Sequence, residues 1–148
     1  MLEPWLRETV LSCHPAVAAV IFALDQAEED LARFHPPPPA DFHLRHIAGS
    51  LDRLTTYLQD RQLSEAQLSA LRAEESGSGE TRGQLLAACG EAFQLTRAAL
   101  ISVPFRQLEE PRFIGRQRIR TTVIGLMIHI AEHTQRHIGQ IIAYSRVG

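Results

Sequence analysis

The chain has 148 residues, of which 45% are hydrophobic and 22% are charged, as expected for one globular domain. Its formal net charge of −2 argues against general nucleic-acid binding. No apolar stretch is long enough to span a bilayer, and residues 1–5 lack the basic region and apolar core of a secretory signal. We therefore expect a single-domain cytoplasmic protein (residues 1–148) with no membrane partner and no nucleic-acid partner.

The cysteine and lysine usage excludes several kinds of site. Cys13 and Cys89 are far apart and form no CxxC pattern, so neither a disulfide framework nor a cysteine-ligated zinc site is expected. All fifteen basic residues are arginines, which excludes a lysine Schiff base. The charge is uneven: residues 1–110 carry 9 arginines against 16 acidic residues, and residues 111–148 carry 6 arginines against 1.

The first long helix is predicted from Pro15 to about Arg33. Proline suits the first helical turn, and Pro36 to Pro39 end the helix, because proline disrupts a helix interior. A short extra helix carrying Trp5 and Leu6 is expected before it. The apolar residues of the long helix recur at helical spacing: Val17, Val20, Ile21, Leu24 and Leu31.

The second helix is predicted from a cap at Asp41 to about Leu58. A short helix is expected within Leu63 to Ala73. The third long helix opens with the capping box formed by Thr81 and Gln84 and reaches about Val103. The apolar stripe of the second helix comprises Leu44, Ile47, Ala48, Leu51, Leu54 and Leu58.

The fourth helix is predicted from a cap at Thr121 or Thr122 to about Ser145. The arginine-rich stretch Arg112 to Arg120 before it is interpreted as a loop, and no segment predicts a strand. Four amphipathic helices with connections of about 20 residues indicate an all-α four-helix bundle with crossover connections.

Three histidines follow one face of the fourth helix at intervals of four residues: His129, His133 and His137. An i, i+4 pair can point two imidazoles at one metal ion, but the outer two stand about 12 Å apart along the axis. One ion can therefore take His133 with either neighbour. Because this face is largely apolar, the imidazoles need partners, and hydrogen-bonded core histidines are the alternative to a metal.

The second helix adds His43 and His46, of which His43 lies nearer the centre of the apolar stripe. One ligand from this helix and two from the fourth would form a three-histidine site with open positions, which suits Zn²⁺, Ni²⁺ or Fe²⁺. The residue after His133 is Thr134, so the general base of an HExxH protease is missing. A haem carrier is disfavoured because there is no CxxCH motif.

Two segments resemble the DinB-like (YfiT-like) family of metalloenzymes: FHLRHIAGSLDRL at 42–54 and HIAEHTQRHIGQI at 129–141. The resemblance implies a four-helix bundle, usually dimeric, that binds a metal through His46, His133 and His137. His43 and His129 then become pocket or supporting residues. Members that resemble this chain use low-molecular-weight thiols, so a metal-activated thiol or water is the implied nucleophile, in a transferase-like or hydrolase-like enzyme. A non-catalytic dimer that binds a ligand or serves in stress response, with a degenerate metal site, is the alternative.

Other residues are weaker candidates for a small-molecule pocket. Gln140 and Tyr144 share the histidine face of the fourth helix, and Ser50 follows His46 by one turn. Arginines of the loop, Arg112, Arg116, Arg118 and Arg120, match the geometry of anions such as carboxylates. A second apolar side of the fourth helix supports a homodimer through that helix. It comprises Ile124, Met127, Ile128, Ala131, Ile138 and Ile142.

Overall fold

The structure is a computed structural model, which describes residues 2–34 and 40–147. The described chain forms six α-helices and a two-stranded antiparallel sheet: α1 (Pro4–Leu11), α2 (Pro15–Arg33), α3 (Asp41–Leu58), α4 (Glu65–Ala73), α5 (Arg82–Ser102), β1 (Pro111–Ile114), β2 (Ile119–Thr122) and α6 (Val123–Val147). The four predicted long helices are α2, α3, α5 and α6. The predicted helix stop at Pro36 to Pro39 lies outside the described residues.

The four long helices form a bundle in which two pairs of successive helices are not spatial neighbours. Helix α3 packs against α5 and α6, and α2 packs against the same two helices. Helices that follow one another among the four, α2 and α3 or α5 and α6, therefore lie diagonally across the bundle. The long connections permit this arrangement. The predicted all-α bundle with crossover connections is confirmed.

Local side-chain chemistry sets most helix starts. Thr81 and Gln84 form the predicted capping box at α5, and the Oγ1 of Thr122 accepts from the backbone N–H of Gly125 at 3.1 Å to cap α6. The predicted cap at Asp41 is wrong. Ala40 occupies the cap position, and the Asp41 carboxylate accepts from Arg82 at 3.1 Å instead.

The stretch interpreted as an arginine-rich loop is largely a β-hairpin, which corrects the prediction of no strand. Strand β1 pairs with β2 in antiparallel register, with Arg112 opposite Thr121. Gly115 and Arg118 close the turn with φ values of +73° and +50°, a conformation that favours glycine. Strands of four residues are too short for alternation to be recognised in a sequence.

The core lies between the long helices and contains the predicted apolar stripes of α2 and α3, except that Ala48 is only partly buried. The core also contains Met127, Ala131 and Ile138 of α6, which the sequence pattern assigned to a second apolar side of that helix. Ile128 of that side is 55% exposed. In the described residues no helix has the length and apolar character needed to cross a membrane.

Candidate metal centre

Helices α3 and α6 bring His46, His133 and His137 together. Their ligand nitrogens all lie within 4.8 Å of one another. The Nε2 atoms of His46 and His133 are 3.0 Å apart, and the His137 ring centroid is 4.3 Å from that of His46. Two Zn–N bonds at a tetrahedral angle separate their nitrogens by about 3.4 Å. The spacing therefore fits one ion held by three imidazoles.

A buried carboxylate orients one of these rings. Glu74, which follows α4, is 6% exposed, and its Oε2 lies 2.7 Å from Nδ1 of His46. Its Oε1 accepts from Arg53 at 2.6 Å. An ionised carboxylate only accepts, so Nδ1 of His46 carries the proton and a neutral ring keeps its Nε2 lone pair for a metal.

The backbone of α3 leaves room for this carboxylate. A Cβ atom at Gly49 would lie 2.5 Å from Oε1 of Glu74 and 2.6 Å from Nη1 of Arg53. Both distances are shorter than a van der Waals contact, so glycine at this position permits the ion pair to pack on the helix. Burial raises the pKa of Glu74, but the hydrogen bonds from His46 and Arg53 outweigh it and hold that pKa below its usual value.

His43 contacts another imidazole, whereas His46 contacts a carboxylate. Its Nδ1 lies 3.1 Å from Nδ1 of His137, and its ring centroid is 5.6 Å from that of Tyr144. When Nδ1 of His137 is the donor in this pair, Nε2 of a neutral His137 keeps its lone pair for a metal. The structure thus groups His46, rather than the more central His43, with the two histidines of α6.

His133 and His137 of α6 are held neutral near neutral pH. Burial, followed by the charge of His46, lowers the pKa of His133 and of His137 to about 4. Burial and the charge of His46 also lower the pKa of His43. Neutral imidazole is the form that binds a metal, so near neutral pH no proton has to be displaced from these rings.

A cavity of about 280 Å³ opens beside the cluster and is lined by His46, His133, His129 and Ser50. Its remaining wall is mostly apolar and includes Leu54, Tyr57, Leu63, Leu68, Leu71 and Ile114. The other predicted pocket residues do not line it: Gln140 is exposed, and Tyr144 contacts His43. Glu132, which precedes His133, faces solvent and pairs with Arg136.

The arginines before α6 separate into different roles. Arg112 is 8% exposed, and its Nε donates to the Leu58 carbonyl at 2.7 Å, so it fastens the hairpin to α3. Arg116 lines the cavity beside the histidines. Arg118 lines a neighbouring cavity, whereas Arg120 is exposed and lines neither.

Sequence reasoning missed Glu74 and Gly49 as parts of the site. Glu74 lies in a polar linker, where an acidic residue is ordinarily solvated. Only the return of that linker onto α3 buries its carboxylate beside His46. The spacing of Gly49 and Arg53 on the helix that carries His46 places all three within two turns, but the spacing does not identify their partner.

A comparison with protein families agrees with this geometry. The family model described as the DinB superfamily matches residues 13–141. The chain belongs to the DinB superfamily. The matched region of this superfamily member includes α2 to α5, the hairpin and most of α6, and with them every histidine of the cluster. Neither the curated proteins nor the solved structures gave a match.

Proposed function

We propose that this DinB-superfamily protein is a divalent-metal-dependent enzyme that acts on a small molecule. The observation that carries the proposal is the three-histidine cluster, of which His46 and His133 line a cavity of about 280 Å³. Three protein ligands leave coordination positions open, which is typical of catalytic sites rather than closed structural ones. Zn²⁺, Ni²⁺ and Fe²⁺ all suit imidazole ligands.

The ligand role of His46, His133 and His137 is part of this proposal, and their surroundings support it. Glu74 holds the proton at Nδ1 of His46, and His43 contacts Nδ1 of His137. Such partners fix ring orientation and tautomer. A bound divalent metal would lower the pKa of a coordinated water or thiol and so supply a nucleophile near neutral pH.

The chain's own thiols are poorly suited to be the nucleophile. Cys89 is buried and donates to the Leu44 carbonyl at 3.2 Å, and burial raises the pKa of its thiol to about 12. Neither Cys89 nor Cys13 lines the cavity. We infer that the nucleophile is a water or an external low-molecular-weight thiol, as in a hydrolase or a thiol S-transferase.

Elemental analysis tests the metal site. Protein purified without a metal-affinity step is expected to carry about one divalent ion per chain, and His133→Ala is expected to lose it. His129→Ala is the matched control on the same face of α6, because His129 lies outside the three-histidine cluster. Absence of metal from the wild-type protein, or full retention in His133→Ala, contradicts the proposal.

Activity separates an enzyme from the non-catalytic alternative. The enzyme is expected to transfer a small thiol to an electrophile, or to hydrolyse an ester or amide, and to lose this turnover in His137→Ala. Metal binding and ligand binding without turnover would favour the non-catalytic DinB-fold protein.

Three expectations about partners and location stay predictions. The argument for a homodimer through α6 is weaker, because Met127, Ala131 and Ile138 are buried inside the chain. The molar mass of the protein in solution tests whether it is a dimer. The cytoplasmic location and the lack of a nucleic-acid partner also stay predictions.

A further inference from the structure

A second cavity, of about 360 Å³, adjoins the one beside the histidines. It lies between the end of α3, the connection to α4, and the β1–β2 hairpin. The two cavities have five lining residues in common: Tyr57, Leu63, Leu68, Gly115 and Arg116. They therefore form one cleft, with a histidine end and a second end at the hairpin.

The second end is rich in arginine. Arg61, Arg116 and Arg118 line it, and Asp60 is the acidic residue among its lining residues. These cations differ from the arginines elsewhere in the described residues, many of which pair with a carboxylate, as Arg53 pairs with Glu74.

The three guanidinium groups make little use of their hydrogen-bonding capacity. Arg116 makes no hydrogen bond or ion pair with any described residue. Arg118 lies over the Phe113 ring at 4.6 Å, and Arg61 donates to the amide oxygen of Gln59. Each guanidinium can donate up to five hydrogen bonds, in a fork that matches a carboxylate or a phosphate.

We propose that the cleft binds an elongated small molecule whose anionic end, a carboxylate or a phosphate, lies among Arg61, Arg116 and Arg118. Its reacting group then lies beside the histidines, and its apolar middle packs on the shared wall of Tyr57, Leu63 and Leu68. This assignment of a substrate or co-substrate class rests on the proposed metal-dependent function.

The test uses three probes of equal chain length on the Co²⁺-loaded protein: an ω-mercaptoalkanoate, an ω-mercaptoalkyl phosphate and an ω-mercaptoalkanol. Thiolate binding is followed by the sulfur-to-cobalt charge-transfer band, over a series of chain lengths. At the optimal length, at least one anionic probe is expected to bind at least about tenfold more tightly than the alcohol, because hydrogen bonds to charged groups are strong. The better of the two anions identifies the end group.

Arg116→Gln is expected to remove most of this preference and to leave the affinity for the alcohol unchanged. Arg120→Gln is the matched control, because Arg120 is on the same hairpin and lines neither cavity. Equal binding of all three probes overturns the inference and leaves the metal site intact. An equal effect of the two substitutions also overturns it, since general charge would then explain the preference.

Failure of every thiol to perturb the cobalt spectrum would count against the proposed function instead. The arginine end is then tested by calorimetry, with plain alkanoates and alkyl phosphates titrated into the metal-free protein. Binding that Arg116→Gln weakens and Arg120→Gln does not supports the anion site, and absence of binding overturns it.

Discussion

The two ends of the cleft differ in how their polar groups are satisfied. At the histidine end, His46 contacts both Glu74 and His133, and His43 contacts His137. At the hairpin end, Arg116 and Arg118 are exposed and pair with no carboxylate among the described residues. Buried polar groups must be paired within the fold, whereas exposed cations are hydrated until an anion replaces the water.

This difference has a physical consequence for what each end can do. Partners that hold ring orientation in advance reduce the ordering cost of binding a metal. Exposed arginines supply attraction and selectivity, with little effect on folding. Substitutions at the histidine end should therefore change metal affinity and stability, and those at the hairpin end should change ligand preference.

The largest expected effect distinguishes the two histidines of α3. His46→Ala should weaken binding of Zn²⁺ by more than about a hundredfold, because it removes a proposed ligand rather than an orienting partner. His43→Ala should weaken it by about tenfold or less, because His43 acts through His137. Competition with a chromophoric chelator measures both affinities. A larger loss in His43→Ala would reverse the assignment.

Glu74→Gln should weaken Zn²⁺ binding by about 10–100-fold, the range observed when an orienting carboxylate of a metal ligand is removed. Glutamine still accepts a hydrogen bond but lacks the charge that keeps the proton on Nδ1 of His46. Glu80→Gln is the control, since Glu80 belongs to the same linker and pairs with Arg45 instead. Equal affinities for the two variants would count against the orienting role.

Substitutions of two hairpin arginines should differ in their effect on the free energy of unfolding. Arg112→Ala should lower the free energy of unfolding by about 2 kcal/mol, because it leaves the Leu58 carbonyl without its donor. Arg116→Ala should change it by less than about 0.5 kcal/mol, as is usual for an exposed residue. Urea denaturation of the metal-free proteins compares them, and similar losses would mean that the two arginines share one role.

The last expected effect is a dependence of stability on pH in the metal-free protein. Folding lowers the pKa of His133 and His137 from 6.5 to about 4, so the unfolded chain takes up protons first as the pH falls. The free energy of unfolding should therefore fall between about pH 7 and pH 4 by at least about 1.4 kcal/mol, the equivalent of one pKa unit.

The double variant His133→Gln, His137→Gln serves as its control. In this variant the free energy of unfolding should still fall at lower pH, where carboxylates become protonated. It should no longer fall near pH 5–6, a midpoint that is given to about one pKa unit. Denaturation curves at closely spaced pH values resolve the two parts. An unchanged pH profile in the double variant would show that these histidines do not carry the dependence.

The predictions from sequence succeeded where a signal repeats or is local. Apolar spacing located the four long helices, and the Thr81–Gln84 capping box located the start of α5. They failed where the signal was short or ambiguous. Strands of four residues show no recognisable period, and Asp41 has a capping residue type but lies one position inside its helix.

By itself, the sequence determined the helices, their buried faces and the histidine positions on α3 and α6, because these follow from chemistry that repeats along the chain. Tertiary structure alone decided which residues meet. It grouped His46 rather than His43 with His133 and His137, and it brought Glu74 from a polar linker into the core. Contacts between distant segments depend on how the helices cross and where the linkers return, and no local pattern encodes that geometry.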